Sequence, residues 1–433
     1  MKKVAFHTLG CKVNQYETQA MSERFISNGY DIVDDTEAAD VYVINTCTVT
    51  NVGDKKSRQF IRKVKRINPD AIIAVVGCYS QTAPEEVAKI EGVNIIIGTN
   101  DRNKIVDLVE ECTVDDRINI VEDIMQVREF EEMSIQEIKD KTRAFLKIQE
   151  GCNQYCSYCI IPYARGNIRS RKKSEIINEI EKLVENGFKE IVLTGIHVAS
   201  YGRDLKDDNT LINVLKEVND IEGLERIRLS SLEPTLFTEY FLKELSKLNK
   251  VCDHFHLSLQ SGSDTVLKRM NRKYTTDQYR NIVKIIRSVY PDVSLTTDII
   301  VGFPGETDEE FNETYDFVKE MNFSMIHVFK FSPRKGTPAA EYADQIDGVT
   351  KHKRSVRLIK LGDEMQLEYM NKFFGKTLDV LFESSSKELE GYIEGTTNNY
   401  IKVLCSANEN IEGRILKVEL TEVKDSFMIG KIV

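Results

Sequence analysis

Cys152, Cys156 and Cys159 fall within eight residues of the stretch Glu150-Gly-Cys-Asn-Gln-Tyr-Cys-Ser-Tyr-Cys-Ile-Ile-Pro-Tyr-Ala-Arg-Gly166. In this C-x3-C-x2-C spacing three thiolates can bind three irons of a cubane, and since a 4Fe-4S cluster usually takes four cysteines, one iron is left without a protein ligand. An open iron is a place for chemistry. A tetrahedral zinc site would want a fourth Cys or His nearby, and the next histidine, His197, is far off in sequence. Three free thiols on one loop would be an oxidation liability without a ligand role.

A second set is spread along the first hundred residues. Cys11, Cys47 and Cys78 each follow a strand-like run, Val4 to Leu9, Val41 to Asn45 and Ala71 to Gly77, with helical patterns at Asn14 to Asn28, Asp54 to Asn68 and Pro84 to Ile90, and a further strand at Asn94 to Gly98. Short apolar runs alternating with helices predict a parallel α/β sheet. The carboxyl ends of such strands share one edge, where ligands bind, so the three cysteines are expected to form a second three-thiolate site. One such cysteine alone reads as a small buried hydrophobe; three at equivalent positions read as ligands. Their flanks, Thr8-Leu-Gly-Cys-Lys-Val-Asn14 and Asn45-Thr-Cys-Thr-Val-Thr50, are small and polar, as loops that meet a cofactor with backbone amides would be. Cys112, Cys252 and Cys405 lack such company and read as structural.

The elements that must hold these residues follow from length and pattern. A chain of 433 residues has room for two or three cores, and we read an N-terminal parallel α/β domain over 1–112, a linker over 113–141, a partial (β/α)6 barrel over 142–373 and a small OB-like β-barrel over 374–433. In the linker the periodic pattern lapses, and from Glu111 to Lys141 ten acids face four bases. The central strands are expected at Ala144 to Gln149, Glu190 to Thr194, Arg226 to Leu229, His254 to Leu259, Ser294 to Val301 and Ile326 to Phe331. Six β/α units leave a barrel open, since closure takes eight, and its chemistry belongs on the loops at the strands' carboxyl ends. The last 60 or so residues alternate like five strands separated by Gly, Asn and Ser, the pattern of a small closed barrel.

Composition narrows the class. No apolar run approaches the ~18 residues of a membrane span, and Met1-Lys-Lys-Val-Ala-Phe-His runs straight into a strand, so a cytoplasmic enzyme is expected. Nine cysteines in such a chain point to metal or redox chemistry. The net charge of -10 argues against a broad basic footprint for nucleic acid. One local stretch reverses that: Lys55 to Arg66 holds seven bases and no acid, with Phe60, Ile61, Val64 and Ile67 at helical spacing. A solvated helix normally mixes both signs, so Arg58, Arg62 and Arg66 are candidates for contact with a polyanion.

The Cys152 loop, with Tyr158 before its last cysteine, resembles the radical S-adenosylmethionine (SAM) superfamily. The resemblance implies that SAM chelates the open iron and is cleaved by one electron to a 5′-deoxyadenosyl radical. It also implies that the turn at Thr194 and Gly195 holds the SAM amino group, that Ser230, Glu233 and Gln260 reach its carboxylate and ribose, and that Asp298 backs the adenine. His197 reads as a packed loop residue. The C-terminal strands resemble a TRAM domain, although ten acids against eight bases over 372–433 give little electrostatic support for RNA.

Over its whole length the chain resembles the methylthiotransferases. That family implies two 4Fe-4S clusters, the second on Cys11, Cys47 and Cys78 and carrying a sulfur that is methylated and then transferred, together with SAM and an external electron donor. Phe6-His-Thr-Leu-Gly-Cys-Lys-Val-Asn-Gln-Tyr-Glu17 is most similar to the branch that methylthiolates C2 of N6-threonylcarbamoyladenosine at tRNA position 37, beside the anticodon. The alternatives are isopentenyladenosine in tRNA or a ribosomal-protein aspartate; an iron-sulfur electron carrier or sensor, or a radical enzyme using the second cluster only for electron transfer, belongs to another class. A threonylcarbamoyl group needs polar partners, for which Arg165, Arg169, Arg171, Lys330 and Arg334 are the candidates, each also readable as a surface charge.

Overall fold

The computed structural model describes residues 1–48, 51–135, 142–206, 210–407 and 409–433. The end of the predicted Cys47 loop, at 49 and 50, and the last six linker positions lie outside these.

The N-terminal sheet follows the predicted alternation. Its elements are β1 (Lys3–Thr8), α1 (Lys12–Ser27), β2 (Asp31–Val33), β3 (Val41–Thr46), α2 (Asn51–Ile67), β4 (Ile72–Gly77), α3 (Cys78–Thr82), α4 (Pro84–Ala88), β5 (Ile95–Ile97), α5 (Ile105–Glu111) and β6 (Ile118–Asn119). All pair in parallel, in the order β2-β1-β3-β4-β5-β6. Helices cover both faces, which is why β3 is buried at every position and reads as one apolar run. The register matches Thr8 with Asn45 and Thr46 with Gly77, so the strands end level. Cys11, Cys47 and Cys78 therefore leave the sheet at one edge.

The stretch read as a linker is packed. Its β6 extends the sheet, Met133 and Ile135 enter the main core, and Glu131 pairs with the buried Arg102 at 2.6 Å. Apolar residues scattered singly among acids gave no helical or strand period, yet Met133 and Ile135 join a core shared by residues of the N-terminal sheet and the central strands.

The central domain runs β7 (Arg143–Glu150), α6 (Ile161–Arg165), β8 (Arg169–Ser170), α7 (Lys173–Glu185), β9 (Glu190–Gly195), α8 (Leu211–Asp220), β10 (Arg226–Leu229), α9 (Glu239–Leu245), β11 (His254–His256), α10 (Asp264–Arg269), α11 (Thr276–Val289), β12 (Ser294–Val301), α12 (Asp308–Met321), β13 (Met325–Lys330) and α13 (Gly348–Asn371). Parallel pairing joins β7, β9 and β10, two single bridges carry the wall on to β11, and β11, β12 and β13 complete it. Among the described residues β13 does not pair with β7, so the six-stranded barrel is open. Period-two alternation sorts the side chains: Ala144, Leu146, Ile148, Ile191, Leu193, Ile227, Leu229, Leu295 and Ile299 join the core under the helices. Phe145, Glu190, Arg228, His254, His256, Thr296, Asp298 and His327 consequently face the lumen.

The C-terminal strands β14 (Thr377–Ser385), β15 (Tyr392–Thr397), β16 (Lys402–Ser406), β17 (Ile415–Val423) and β18 (Met428–Ile432) close into a barrel ordered β14-β15-β16-β18-β17. It sits against the amino ends of the central strands. Arg226 donates to the carbonyls of Thr396 and Asp379 at 2.8 and 2.7 Å, Arg228 to those of Asn398 and Thr397 at 3.1 and 3.2 Å, and Tyr400 stacks on His254 with centroids 4.2 Å apart. The barrel thus floors the lumen. No helix among the described residues is long and apolar enough to cross a membrane.

Candidate active site

Cys11 caps α1 from an extended conformation, Cys47 follows β3, and Cys78 opens α3 with no intervening loop. That last turn needs Gly77, whose φ is 98°; a Cβ there would lie 2.6 Å from Asn45 Oδ1 and 2.7 Å from the Thr46 carbonyl. The buried Asn14 ties the loops together. Its amide donates to the Leu9 carbonyl at 3.1 Å, to the Thr46 carbonyl at 3.0 Å and to Asn45 Oδ1 at 3.2 Å, while Cys11 Sγ lies 3.4 Å from its Oδ1. Gly10 and Cys47 approach so closely that a Cβ on Gly10 would be 3.0 Å from that of Cys47. Cys11 is exposed, Cys47 half-buried and Cys78 buried, so this edge opens on one side.

The Cys152 loop is held on all sides. Cys152 N donates to the Gly166 carbonyl at 3.0 Å, Cys159 N to that of Cys156 at 2.9 Å, and Ser157 to the carbonyls of Met270 and Arg269 at 3.0 and 2.8 Å. Arg272 reaches Cys156 Sγ at 3.4 Å and Glu233 at 2.8 and 2.9 Å. Gln149 joins the loop to the turn after β9: its amide donates to the carbonyls of Glu150 and Gly151 at 2.6 and 2.7 Å, and its Oε1 accepts from His197 N at 2.6 Å. Gly195 lies against it, since a Cβ there would be 2.9 Å from the Gln149 carbonyl.

The predicted SAM residues converge on this loop. Tyr158, Cys159, Gln260, Asp298 and Lys330 line a cavity of about 260 Å³. Thr194 and Ser230 are buried at neighbouring strand ends, and the Ser230 hydroxyl has no partner among the described residues. Glu233 is already engaged by Arg272 and lies 3.6 Å from His197 Nε2; burial pushes its carboxyl up, and these two neighbours more than offset that and hold it below the ordinary range.

Both triads offer sulfur donors only. Burial pushes Cys78 and Cys159 up to about 12 and Cys152 up to about 11, so as free thiols they are protonated, and a metal centre would have to displace those protons. No three Cys, His, Asp or Glu side chains among the described residues converge as a single ion would require. A cubane asks for less, because each thiolate binds its own corner iron. The donor sets fit iron-sulfur clusters on that ground.

Three predicted substrate contacts are corrected. Arg165, Arg169 and Arg171 are buried and committed within the protein. Arg169 donates to the carbonyls of Arg165 and Asn167 at 3.0 and 3.2 Å, and Arg171 pairs with Glu179 at 2.5 Å. Arg165 does something the sequence did not indicate. Its Nε lies 3.2 Å from Cys78 Sγ, while its two terminal nitrogens bond Glu17 at 2.5 and 3.1 Å, Glu150 at 3.1 and 3.3 Å, and Asn14 at 3.1 Å. Six positions after Cys159, it bolts one cysteine loop to the other. Arg102 and Lys147 complete the ion cluster, at 2.5 and 3.2 Å from Glu17. Burial raises Glu17 and Glu150, and the surrounding cations more than offset it.

The remaining candidates stay near solvent or in the cleft between domains. Arg58 is half-buried and donates to Tyr79 Oη at 3.0 Å, whereas Arg62 and Arg66 are exposed on α2. Arg334, from the loop after β13, reaches Thr48 Oγ1 at 2.6 Å, beside Cys47. Arg58, Tyr79, Ile160, Arg334 and Lys335 share a cleft of about 690 Å³. Tyr79 adjoins Cys78 and Ile160 adjoins Cys159, so the cleft has one wall from each cysteine loop.

Comparison with known proteins agrees with this geometry. Residues 146–318 match the family model described as "Radical SAM superfamily", and residues 3–98 match "Uncharacterized protein family UPF0004". A threonylcarbamoyladenosine tRNA methylthiotransferase, MtaB, of Bacillus subtilis is 47% identical over 100% of this chain and 97% of its own length. The chain belongs to the radical SAM tRNA methylthiotransferases. The Aquifex aeolicus MtaB is 41% identical over 93% of the chain and 98% of its own length. A tRNA-2-methylthio-N(6)-dimethylallyladenosine synthase of Thermoanaerobacter is 38% identical over 100% and 93%. Among solved structures, the radical S-adenosylmethionine methyltransferase TsrM of Kitasatospora setae shares the fold, with a TM-score of 0.58 at 15% identity over 78% of this chain and 77% of that one. For this methylthiotransferase that likeness is one of fold alone.

Proposed function

We propose that this methylthiotransferase adds a methylthio group to C2 of N6-threonylcarbamoyladenosine beside the tRNA anticodon, with Cys152, Cys156 and Cys159 holding one 4Fe-4S cluster and Cys11, Cys47 and Cys78 the other. When bound, the clusters and SAM supply reductive radical formation and the transferable sulfur. The chain supplies placement. The observation that carries the reading is the Arg165 bridge from the Cys159 side to Cys78 Sγ, which supports two clusters held close to one cleft.

Tyr158, Thr194, Gly195, Ser230, Glu233, Gln260 and Asp298 are assigned to SAM. Arg272, already oriented by Glu233, stands beside the same loop as a cation for a carboxylate. The C-terminal barrel closes the lumen at the amino ends of the strands, opposite the Cys152 loop, so the lumen opens toward the cysteine loops. We assign the exposed Arg62 and Arg66 to tRNA phosphate, Arg58 and Arg334 to the cleft through which the nucleoside enters, and Lys330, which lines the cavity beside Cys159, to the nucleoside's polar substituent. Electrons come from an external donor, and a tRNA substrate goes with a cytoplasmic location.

The test is mass spectrometry of nucleosides from tRNA carrying either threonylcarbamoyladenosine or isopentenyladenosine, incubated with the reconstituted enzyme, SAM and reductant. A site built on hydrogen bonds rejects an analogue lacking them strongly, so methylthiolation of the first tRNA alone is expected. Methylthiolation of the second alone would move the chain to the neighbouring branch.

A further inference from the structure

One cation in the barrel lumen has no carboxylate of its own. Lys12 is the first residue of α1, directly after Cys11, and its side chain enters the lumen, where its ammonium lies 5.8 Å from the centroid of the Phe145 ring. The groups around it come from all sides of the wall. Arg143, Glu190, Arg228 and Tyr400 act on it electrostatically, and it acts in turn on His254 and His327. No hydrogen bond or ion pair joins Lys12 to another described side chain, and cation–π contact with a phenylalanine is its one described polar interaction.

The charges nearby do not balance. Glu190 is shared among Arg228 at 2.6 Å, Arg226 at 3.7 Å and Arg143 at 4.0 Å, and Glu383 takes the other side of Arg143 at 2.8 Å. Lys12 adds a fourth cation to two carboxylates. The remaining lumen carboxylate, Asp298, faces His256 Nε2 at 3.3 Å. An unpaired ammonium taken out of water is costly, and a structure keeps one where an anion will join it. Cavities lie on both sides of this group, although Lys12 lines neither: Asp298 lines the one beside Cys159, and Thr296, the next lumen-facing residue on β12, lines one of about 470 Å³ with His327, Tyr400 and Arg143, two of which act on Lys12 electrostatically.

We propose that Lys12 is a specificity-determining residue that binds, inside the lumen, a carboxylate carried by the substituent of the target nucleoside. The proposal rests on the substrate reading above, in which the threonyl part supplies that carboxylate. It gives the loop of Cys11 two jobs one residue apart: Cys11 holds the sulfur-bearing centre, and Lys12 anchors the substituent so that the base lies beside it. The same anchor rejects an isopentenyl group, because binding it would cover the half-buried ammonium without giving it a partner.

The experiment uses the full reconstituted chain and two anticodon stem-loop RNAs, one with the free threonylcarbamoyl carboxylate and one with that carboxylate converted to an amide. Both kcat/KM and the Kd for RNA in the absence of SAM are measured. Wild type should prefer the acid on the order of 10- to 100-fold, the value of one buried charge-assisted hydrogen bond. Lys12→Met should bring acid and amide within about twofold, chiefly by weakening the acid, and Lys12→Arg should restore part of the preference. A Lys12→Met variant that keeps the full preference overturns the proposal alone. So does one that loses iron in proportion to its activity, because Lys12 would then serve the Cys11 loop. Wild type inactive on the acid RNA overturns the substrate reading and this proposal with it.

Discussion

Arg165→Gln removes a side chain that touches Cys78, Glu17 and Glu150 together. The loss can be sized from Glu150. Burial alone would raise its carboxyl, but Arg165 and Lys147 hold it at about 2 against an ordinary 4.5. A depression of that size corresponds to about 3 kcal/mol at neutral pH, at 1.36 kcal/mol per unit. Because the folded value is depressed, this stability is fully present above about pH 4.5 and is lost as pH falls toward 2. Lys147 retains a share in the variant, yet Glu17 and Glu150 then face each other with less positive charge between them, and breaking a buried pair from one side costs roughly 3–5 kcal/mol. We expect a loss of about 3 kcal/mol. Thermal unfolding of the cluster-free protein, followed by circular dichroism, should show the apparent midpoint falling by roughly 3 °C, since 433 residues give an unfolding entropy of about 0.9 kcal/mol/K. The gap between wild type and variant should be equal at pH 7 and 5.5 and narrower at pH 4. Arg165→Gln with Glu150→Gln should recover much of it, since removing both members relieves the unpaired charge. A gap below 1 °C at pH 7, or one that widens in acid, would refute the reasoning.

Two further outcomes follow from the same geometry. Gly77→Ala forces a Cβ to 2.6 Å from Asn45 Oδ1 at a φ of 98°, so iron held through Cys78 should be lost while SAM cleavage at the other triad persists; a full iron count in that variant would contradict the turn's role. Neutralising Arg62 and Arg66, the exposed pair on α2, should flatten the salt dependence of tRNA binding by about 0.7–0.9 log units for each phosphate they no longer neutralise. Arg58→Gln should change the slope less, because Arg58 is held by Tyr79, and equal slopes for wild type and the double variant would return α2 to an ordinary solvated surface.

Sequence patterns carried some of these features and not others. The central strands were legible because each is short, apolar on alternate positions and followed by a helix; β12 matches the expected Ser294–Val301. Cys11, Cys47 and Cys78 were legible as a set because parallel strands end level. Edge strands were not: β2 and β6 are three and two residues long, too short to show a period. Nor was the fate of Arg165, Arg169 and Arg171. An arginine's sequence neighbours do not reveal which carboxylate will cover it, and Glu17 lies 148 positions from Arg165. The signal that could have helped was Glu17 itself, an acid on the buried face of an α1 whose neighbours Tyr16, Ala20 and Met21 are core. Lys12 was hidden for a related reason, since the open barrel it enters is built from residues more than 130 positions away.

The claim that two cysteine triads do separate jobs in one cleft is tested most directly by two triple variants. With Cys11, Cys47 and Cys78 all changed to Ala, the reconstituted protein should keep about half its iron and still release 5′-deoxyadenosine from SAM, but form no methylthiolated nucleoside. With Cys152, Cys156 and Cys159 changed instead, about half the iron should again remain and 5′-deoxyadenosine should vanish. Methylthiolated product from the first variant would contradict the account.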